Sequence, residues 1–336
     1  MTVFAPDIIH APILRGFAEL VGELGGDAAA LLAGVGLDGA AIERGETSYR
    51  QLIRLLDRAA TTLACPDFGM RLARLQGGAG AFGPIGDVMR NSRTFGEAIR
   101  YVSDHAYAHS PAAGIWLRRL IDEEAVLVTH VLVIEEPHDR AQLVEQILLV
   151  GHLGAMEITG GRTRVRRVLF RHQPRSPLRL YRRYFGCEVL FGQVEDGVVF
   201  GRADLDQPVI DADGAAYASA TAFIDRALAG SRPPLRAQVH ALVMKYLGRE
   251  DCSNDRIARE LCLHSRTLHR RLAAEGASFQ GIKDAVRRDL AAYYLRHTDF
   301  DLTRIAERLG FSEQSVLTRR CRAWFAAPPT AVRARA

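Results

Sequence analysis

Two stretches of this chain repeat a set of residues that could grip a polyanion. The string Arg256-Ile257-Ala258-Arg259-Glu260-Leu261-Cys262-Leu263 returns 48 positions later as Arg304-Ile305-Ala306-Glu307-Arg308-Leu309-Gly310-Phe311. Each copy runs into a segment rich in Arg, Ser and Thr, His264 to Glu275 in the first and Ser312 to Trp324 in the second. Guanidinium forks and hydroxyls donate hydrogen bonds to phosphate oxygens and to base edges in a DNA groove.

Those donors need a scaffold, and the spacing predicts one. Each copy reads as a short amphipathic helix, a tight turn and a second helix that presents its first residues to a major groove. Ala258 and Ala306 are small where the two helices must cross. Ile257, Leu261, Leu263 and Leu268 lock one pair, and Ile305, Leu309, Phe311 and Val316 the other. Gly310 can take the left-handed conformation that ends a helix sharply. Ser312 is expected to cap the next helix, with Glu313 in its first turn. Between the copies, Phe279, Ile282, Val286, Leu290 and Tyr294 form a stripe that predicts one connecting helix over 279–297. At ~1.5 Å per residue it spans about 28 Å, close to the ~34 Å between successive major-groove faces on one side of a duplex.

Charge follows the same division. Residues 231–336 hold 20 Lys and Arg against 11 Asp and Glu, a net +9, while residues 1–230 carry −4. A basic third behind a mildly acidic body suits a nucleic-acid partner, because neutralised phosphates release counterions. The break is expected near Ala229-Gly230-Ser231-Arg232-Pro233-Pro234, giving domains 1–230 and 231–336.

The body reads as α+β, helices first and a small sheet later. From Ile13 to Tyr107 it is mainly helical, with Leu52, Leu55, Leu56 and Ala59, then Phe95, Ala98, Ile99 and Val102, at helical spacing. Gly114 to Leu120 and Ala125 to Val133 read as a hairpin around Asp122-Glu123-Glu124. Glu136 to Ile158 is helical, Arg164 to His172 a strand and Pro177 to Phe185 a helix. Glu188 to Phe191 and Gly197 to Phe200 read as short strands about a turn at Glu195-Asp196-Gly197.

Other chemistry finds little support. Five scattered cysteines with no CxxC pair argue against a disulfide framework or structural zinc. GxSxG, HExxH, P-loop and GxGxxG motifs are missing, so no enzyme is expected. His105 and His109 have the i, i+4 spacing of a metal pair but no third ligand, and neither metal nor cofactor is expected. No apolar run reaches the ~18 residues of a membrane span. The start MTVFAPDIIHAPILRG lacks the pattern of a signal peptide, so a cytoplasmic location is expected.

Residues 236–333 resemble the DNA-binding domain of the AraC/XylS family of regulators. The strings SRTLHRRLAAEGASFQGIKDAVRRDLAAYYL and LTRIAERLGFSEQSV carry the likeness, closed by APP and Arg333. The body, through VRRVLFRHQPRSPLRLYRRYFGCEVLFGQVEDGVVFGRADLDQPV, is similar to the N-terminal domain of the ornithine-utilisation-regulator subgroup. The resemblance implies an all-α C-terminal domain with two helix-turn-helix units joined by a linker helix, behind an α+β sensor domain. It implies base contacts from Arg266, His269 and Arg270 in the first unit and from Gln314, Ser315, Thr318 and Arg319 in the second.

This chain departs from the family at Leu317 and Cys321, where an aromatic is usual, at Ala326 for Gly, at Val332 for Tyr and at His264 for a capping Ser. Loss of an aromatic at Cys321 costs ~3 kcal/mol or more unless neighbours such as Trp324 and Phe325 fill the space. The family further implies an effector-binding, dimerising body, double-stranded promoter DNA and RNA polymerase as partners, and action as an activator. A ligand-independent repressor or architectural DNA binder is the alternative. Asp87, Tyr101, Asp104 and His105 are the polar candidates for an effector, an amine or amino acid by analogy with the subgroup and from the body's acidity.

Overall fold

The computed structural model describes residues 7–9, 12–39, 47–120, 124–132, 134, 139–193, 195–227, 234–248, 251–298 and 300–334. The chain divides into two compact units, Met1–Arg232 and Pro233–Ala336.

The first unit opens with helices α1 (Phe17–Glu23), α2 (Ala28–Ala33), α3 (Tyr49–Thr62), α4 (Phe68–Gln76), α5 (Pro84–Asn91) and α6 (Phe95–Asp104). Ser48 starts α3 with a reciprocal cap: its Oγ accepts from Gln51 N, and Gln51 Oε1 accepts from Ser48 N. Leu52, Leu55, Leu56 and Ala59 are fully buried, as their spacing requires. Phe95, Ala98, Ile99 and Val102 form the buried face of α6.

A five-stranded sheet follows, β1 (Ala113–Leu120), β2 (Ala125–Leu132), β3 (Arg167–Leu169), β4 (Glu188–Leu190) and β5 (Gly197–Gly201), in spatial order β1-β2-β5-β3-β4. Helices α7 (Ala141–Ile158), α8 (Leu178–Phe185) and α9 (Gly214–Ala227) are interleaved with it in sequence. The expected hairpin is present: β1 and β2 run antiparallel, with Ala113 opposite Leu132 and Leu120 opposite Ala125. Its turn residues Asp122 and Glu123, with Val133 and Glu136, lie outside the described residues.

One expectation needs correction, and the sheet order adds what the sequence left open. The strand read over 164–172 is only Arg167–Leu169, although Val165, Val168 and Phe170 are all buried. The strands about Glu195-Asp196-Gly197 do not pair with each other. β3 lies between them, antiparallel to β5 and parallel to β4. A parallel pair needs a crossover, and α8 supplies it.

Helix α7 is buried on almost every side. Gly69 lets α4 approach it closely, since a Cβ there would sit 2.1 Å from the Gln142 carbonyl oxygen. Two amides bind the helix to its surroundings. Gln142 accepts from Gly69 N and donates to the Pro66 carbonyl, both at 2.8 Å. Gln146 donates to Gln76 Oε1 at 2.8 Å.

The second unit is all helical among the described residues. It comprises α10 (Leu235–Tyr246), α11 (Asn254–Glu260), α12 (Ser265–Ala274), α13 (Phe279–His297), α14 (Leu302–Arg308), α15 (Gln314–Phe325) and α16 (Pro329–Arg333). The connecting helix α13 spans the residues expected of it and buries Phe279, Val286, Leu290, Ala291, Tyr294 and Leu295. Ile282 is only half-buried.

Candidate nucleic-acid interface

Helices α11 and α12 form one helix-turn-helix head, and α14 and α15 form the other. Ser253 Oγ caps α11 through Arg256 N, and Asp301 Oδ1 caps α14 through Arg304 N at 2.7 Å. Ile257 and Ile305 are fully buried, and Ala258 and Ala306 nearly so. Both first helices end in the same way. Cys262 N donates to the Arg259 carbonyl and Leu263 N to that of Ala258, while Gly310 N and Phe311 N donate to Glu307 and Ala306. This closure puts one residue in the left-handed region, Cys262 at φ 53° and Gly310 at φ 65°. Cys262 thus does with a side chain what Gly310 does without one. The 48-residue repeat aligns the two and could have revealed it.

The turns then diverge. The cap residue of α12 is His264 and that of α15 is Glu313, so the second turn is one residue longer than the first. Ser312 is exposed and does not cap, and Glu313 takes its place without a side-chain bond. The added residue also moves the core position. Leu268 and Leu272 fill the first head, while Leu317 and Cys321 fill the second, all fully buried. Val316, expected to lock the turn, is half-buried.

With the longer turn included, Arg266, His269 and Arg270 correspond to Ser315, Thr318 and Arg319. Arg266, His269, Arg270, Gln314, Ser315 and Arg319 are exposed and Thr318 is half-buried. The partner of Gln314 is Ser265, which sequence reasoning passed over. Each of these first residues is tied to its own supporting helix: Ser265 Oγ donates to Asp255, and Thr303 Oγ1 donates to Gln314 Oε1 at 3.3 Å.

The departures from the family pattern are absorbed unevenly. Leu317 and Cys321 are fully buried, while Trp324 and Phe325 are half-buried. Trp324 directs its ring N–H to Asp284 Oδ2 on α13 at 3.0 Å. Helix α16 packs against α13 and α15 and buries Pro329 and Val332. Ala326 takes the left-handed cap of α15 at φ 51°, a conformation glycine adopts without strain.

The linker helix carries a second, polar face that its apolar stripe concealed. Lys283 Nζ donates to the Cys252 carbonyl at 2.6 Å. Arg287 donates to the carbonyls of Leu309 and Gly310 at 2.9 and 2.8 Å, and its guanidinium lies 4.4 Å from the Phe311 ring centre. Burial lowers the Arg287 pKa below its usual value. The signal in the sequence was a pair of cations four residues apart beside the stripe.

In the first unit, the effector candidates separate. Tyr101 and His105 stack with ring centres 3.9 Å apart, and Tyr217 adds an edge at 6.2 Å from Tyr101. The Tyr101 hydroxyl is buried without a hydrogen-bond partner, and burial raises its pKa. Asp104 is exposed beside them on α6. Asp87 is exposed on α5 and ion-paired with Arg90 at 3.0 Å. A different buried group was not foreseen. Glu145 on α7 accepts from Tyr181 Oη at 2.6 Å, and burial pushes its carboxyl up to about 8. Its place within a helix apolar on most sides hid it.

Comparison with known proteins agrees with this architecture. Residues 25–209 match the family described as the arabinose-binding domain of AraC transcription regulators, and residues 257–335 match a helix-turn-helix domain. The chain is 33% identical over 332 residues to the HTH-type transcriptional regulator VirS of Mycobacterium tuberculosis, covering 97% of this chain and 96% of that one. It is 30% identical over 160 residues to the ornithine utilization regulator of Pseudomonas aeruginosa, covering 47% of each chain. The crystal structure of the transcriptional regulator CdpR from Pseudomonas aeruginosa aligns with 96% of this chain and 98% of its own, with 20% identity and a TM-score of 0.46. Among the described residues no helix is long and apolar enough to cross a membrane. The chain belongs to the AraC family of transcription regulators, proteins that join a sensor domain to a DNA-binding helix-turn-helix domain.

Proposed function

We propose that the two heads read one promoter duplex. Arg266, His269 and Arg270 enter one major groove, and Gln314, Ser315, Thr318 and Arg319 enter the next. The observation that supports this most is the exposure of these side chains, Thr318 apart, at equivalent positions of two heads. The chemistry suits the partner: Arg pairs with guanine O6 and N7, Gln with adenine N6 and N7, and Thr can contact a thymine methyl. Selection of bound duplexes from a random pool, followed by footprinting, tests the reading. Two protected segments about one helical turn apart are expected, with affinity falling steeply as salt rises. A flat salt response or a single protected segment overturns it.

The first unit, on this reading, is a cytoplasmic effector sensor and homodimerisation domain, and the protein activates transcription through RNA polymerase. Tyr101 and His105 form the centre of the effector face, with Asp104 and Asp87 as outlying acidic candidates. A small amine or amino acid is the favoured class, supported by the name of the ornithine utilization relative. An effector acts only if it binds two arrangements of the protein with different affinity. Calorimetry across amines, amino acids and fatty acids separates the classes, and heat from fatty acids alone sinks the amine assignment. Unchanged DNA affinity and reporter output with every metabolite class would favour a ligand-independent repressor or architectural binder.

A further inference from the structure

One turn of α13 holds both heads at once. Lys283 binds the carbonyl of Cys252, just before the cap of α11 in the first head. Arg287 forks onto Leu309 and Gly310, the carbonyl end of α14 in the second head. A cation is favoured there twice, by the unpaired carbonyls and by the helix dipole. Asp284, between the two, accepts from Trp324 of α15 and pairs with Arg320 at 3.5 Å. The backbones meet beside this turn. Gly248, at φ +69°, lies so close to α14 that a Cβ would sit 2.1 Å from the Arg308 carbonyl oxygen. An open cleft of about 400 Å³, lined by Asp251, Lys283, Arg287 and Glu307 among others, runs along the junction. The apolar stripe of α13 packs on its other faces, while on this face Lys283 and Arg287 make directional bonds to backbone carbonyls.

We infer that Lys283 and Arg287 are positioning residues that set the spacing and rotational phase at which the two heads accept DNA. Target choice then depends on the distance between two half-sites as well as on their bases. The inference rests on the reading that both heads engage one duplex. Each inserted base pair rotates one half-site by about a tenth of a turn, so a rigid pair must discriminate against it.

The test uses the full chain and a duplex selected from a random pool. Affinity is measured for that duplex, for versions with one or two base pairs inserted between the protected segments, and for versions with one segment scrambled. The parent is expected to lose about tenfold per inserted base pair, comparable to the cost of a mismatched position. Arg287→Met and Lys283→Met are expected to cut that penalty to about threefold, with single-segment affinity within about twofold of the parent. Arg287→Lys keeps the charge but not the two-carbonyl fork and is expected to fall between.

A parent that loses nothing when one segment is scrambled means the two heads do not share a duplex, and the functional reading itself fails. A parent that needs both segments yet shows no insertion penalty overturns the positioning role and leaves that reading standing. A parent with a steep penalty that both Met variants retain overturns the positioning role and leaves that reading standing. Full restoration of the penalty by Arg287→Lys assigns Arg287 to simple charge and also overturns it. Should Arg287→Met lose its near-ultraviolet circular dichroism, Lys283→Met decides. Loss of folding in both makes these residues core supports and overturns the inference as well.

Discussion

The two heads are copies with different habits. The first presents Arg266, His269 and Arg270, whereas the second presents Gln314, Ser315, Thr318 and Arg319. The first turn is short and passes through Cys262 in the left-handed region, while the second is one residue longer and uses Gly310. Yet the supports are shared. Arg256 lies over the Tyr246 ring at 4.3 Å and its repeat, Arg304, over Phe300 at 4.1 Å. The repeat keeps the arginine-over-ring support and varies two of the three aligned outward positions, Arg266 to Ser315 and His269 to Thr318, while Arg270 and Arg319 match. The buried support tolerates few changes in shape, whereas exposed positions are freer to follow a binding partner.

The largest expected effect tests whether the heads are mechanically independent. Gly248→Ala places a Cβ against the Arg308 carbonyl at a positive φ. It is expected to destabilise the second unit by roughly 3 kcal/mol, the upper range for forced overpacking. Thermal unfolding measures it, and an unchanged midpoint would show that the heads do not lean on each other there.

Next come the reading faces. Arg266→Ala is expected to cost about 1–3 kcal/mol on specific DNA and to relax preference at one position. Equal weakening on random DNA would instead make Arg266 a phosphate contact and lower the salt slope by about one. Gln314→Ala, in the uncharged part of the other face, is expected to cost about 1 kcal/mol with the salt slope unchanged. A fall in slope would erase the contrast between a cationic and a polar head. Titrations at several salt concentrations check both variants.

The smallest effects concern left-handed residues. Ala326→Gly and Cys262→Gly are expected to stabilise by about 1 kcal/mol each, because an L side chain in that region costs ~1–2 kcal/mol and glycine gives part of it back as unfolded-state entropy. Denaturant midpoints of the two variants measure this. Destabilisation at Cys262 would show that its side chain contributes contacts worth more than the strain.

Periodicity carried most of the second unit. The stripe on α13 and the paired alanines at Ala258 and Ala306 are short-range patterns, and burial obeys them directly. The longer second turn stayed hidden because the repeat matches at 48 residues up to Phe311 and only then slips. Ser312 therefore looked like a cap. In the first unit, the helical stripes and the hairpin were visible, but the sheet order was not. Nothing local in Arg167–Leu169 says that it separates β4 from β5, since strand order is fixed by long-range pairing. Glu145 and the Lys283–Arg287 pair escaped because their partners are distant in sequence: Tyr181 for one, backbone carbonyls for the others.

Helix α7 raises a question of uniqueness. A rod greased around most of its circumference could seat at several rotations with similar burial, because apolar contact has no preferred direction. Gln142 and Gln146 remove that degeneracy. An amide buried away from its partners loses hydrogen bonds that only one rotation restores. The two side chains act as teeth on a key, so a sensor that changes state around this helix must turn it as a whole or leave it where it is.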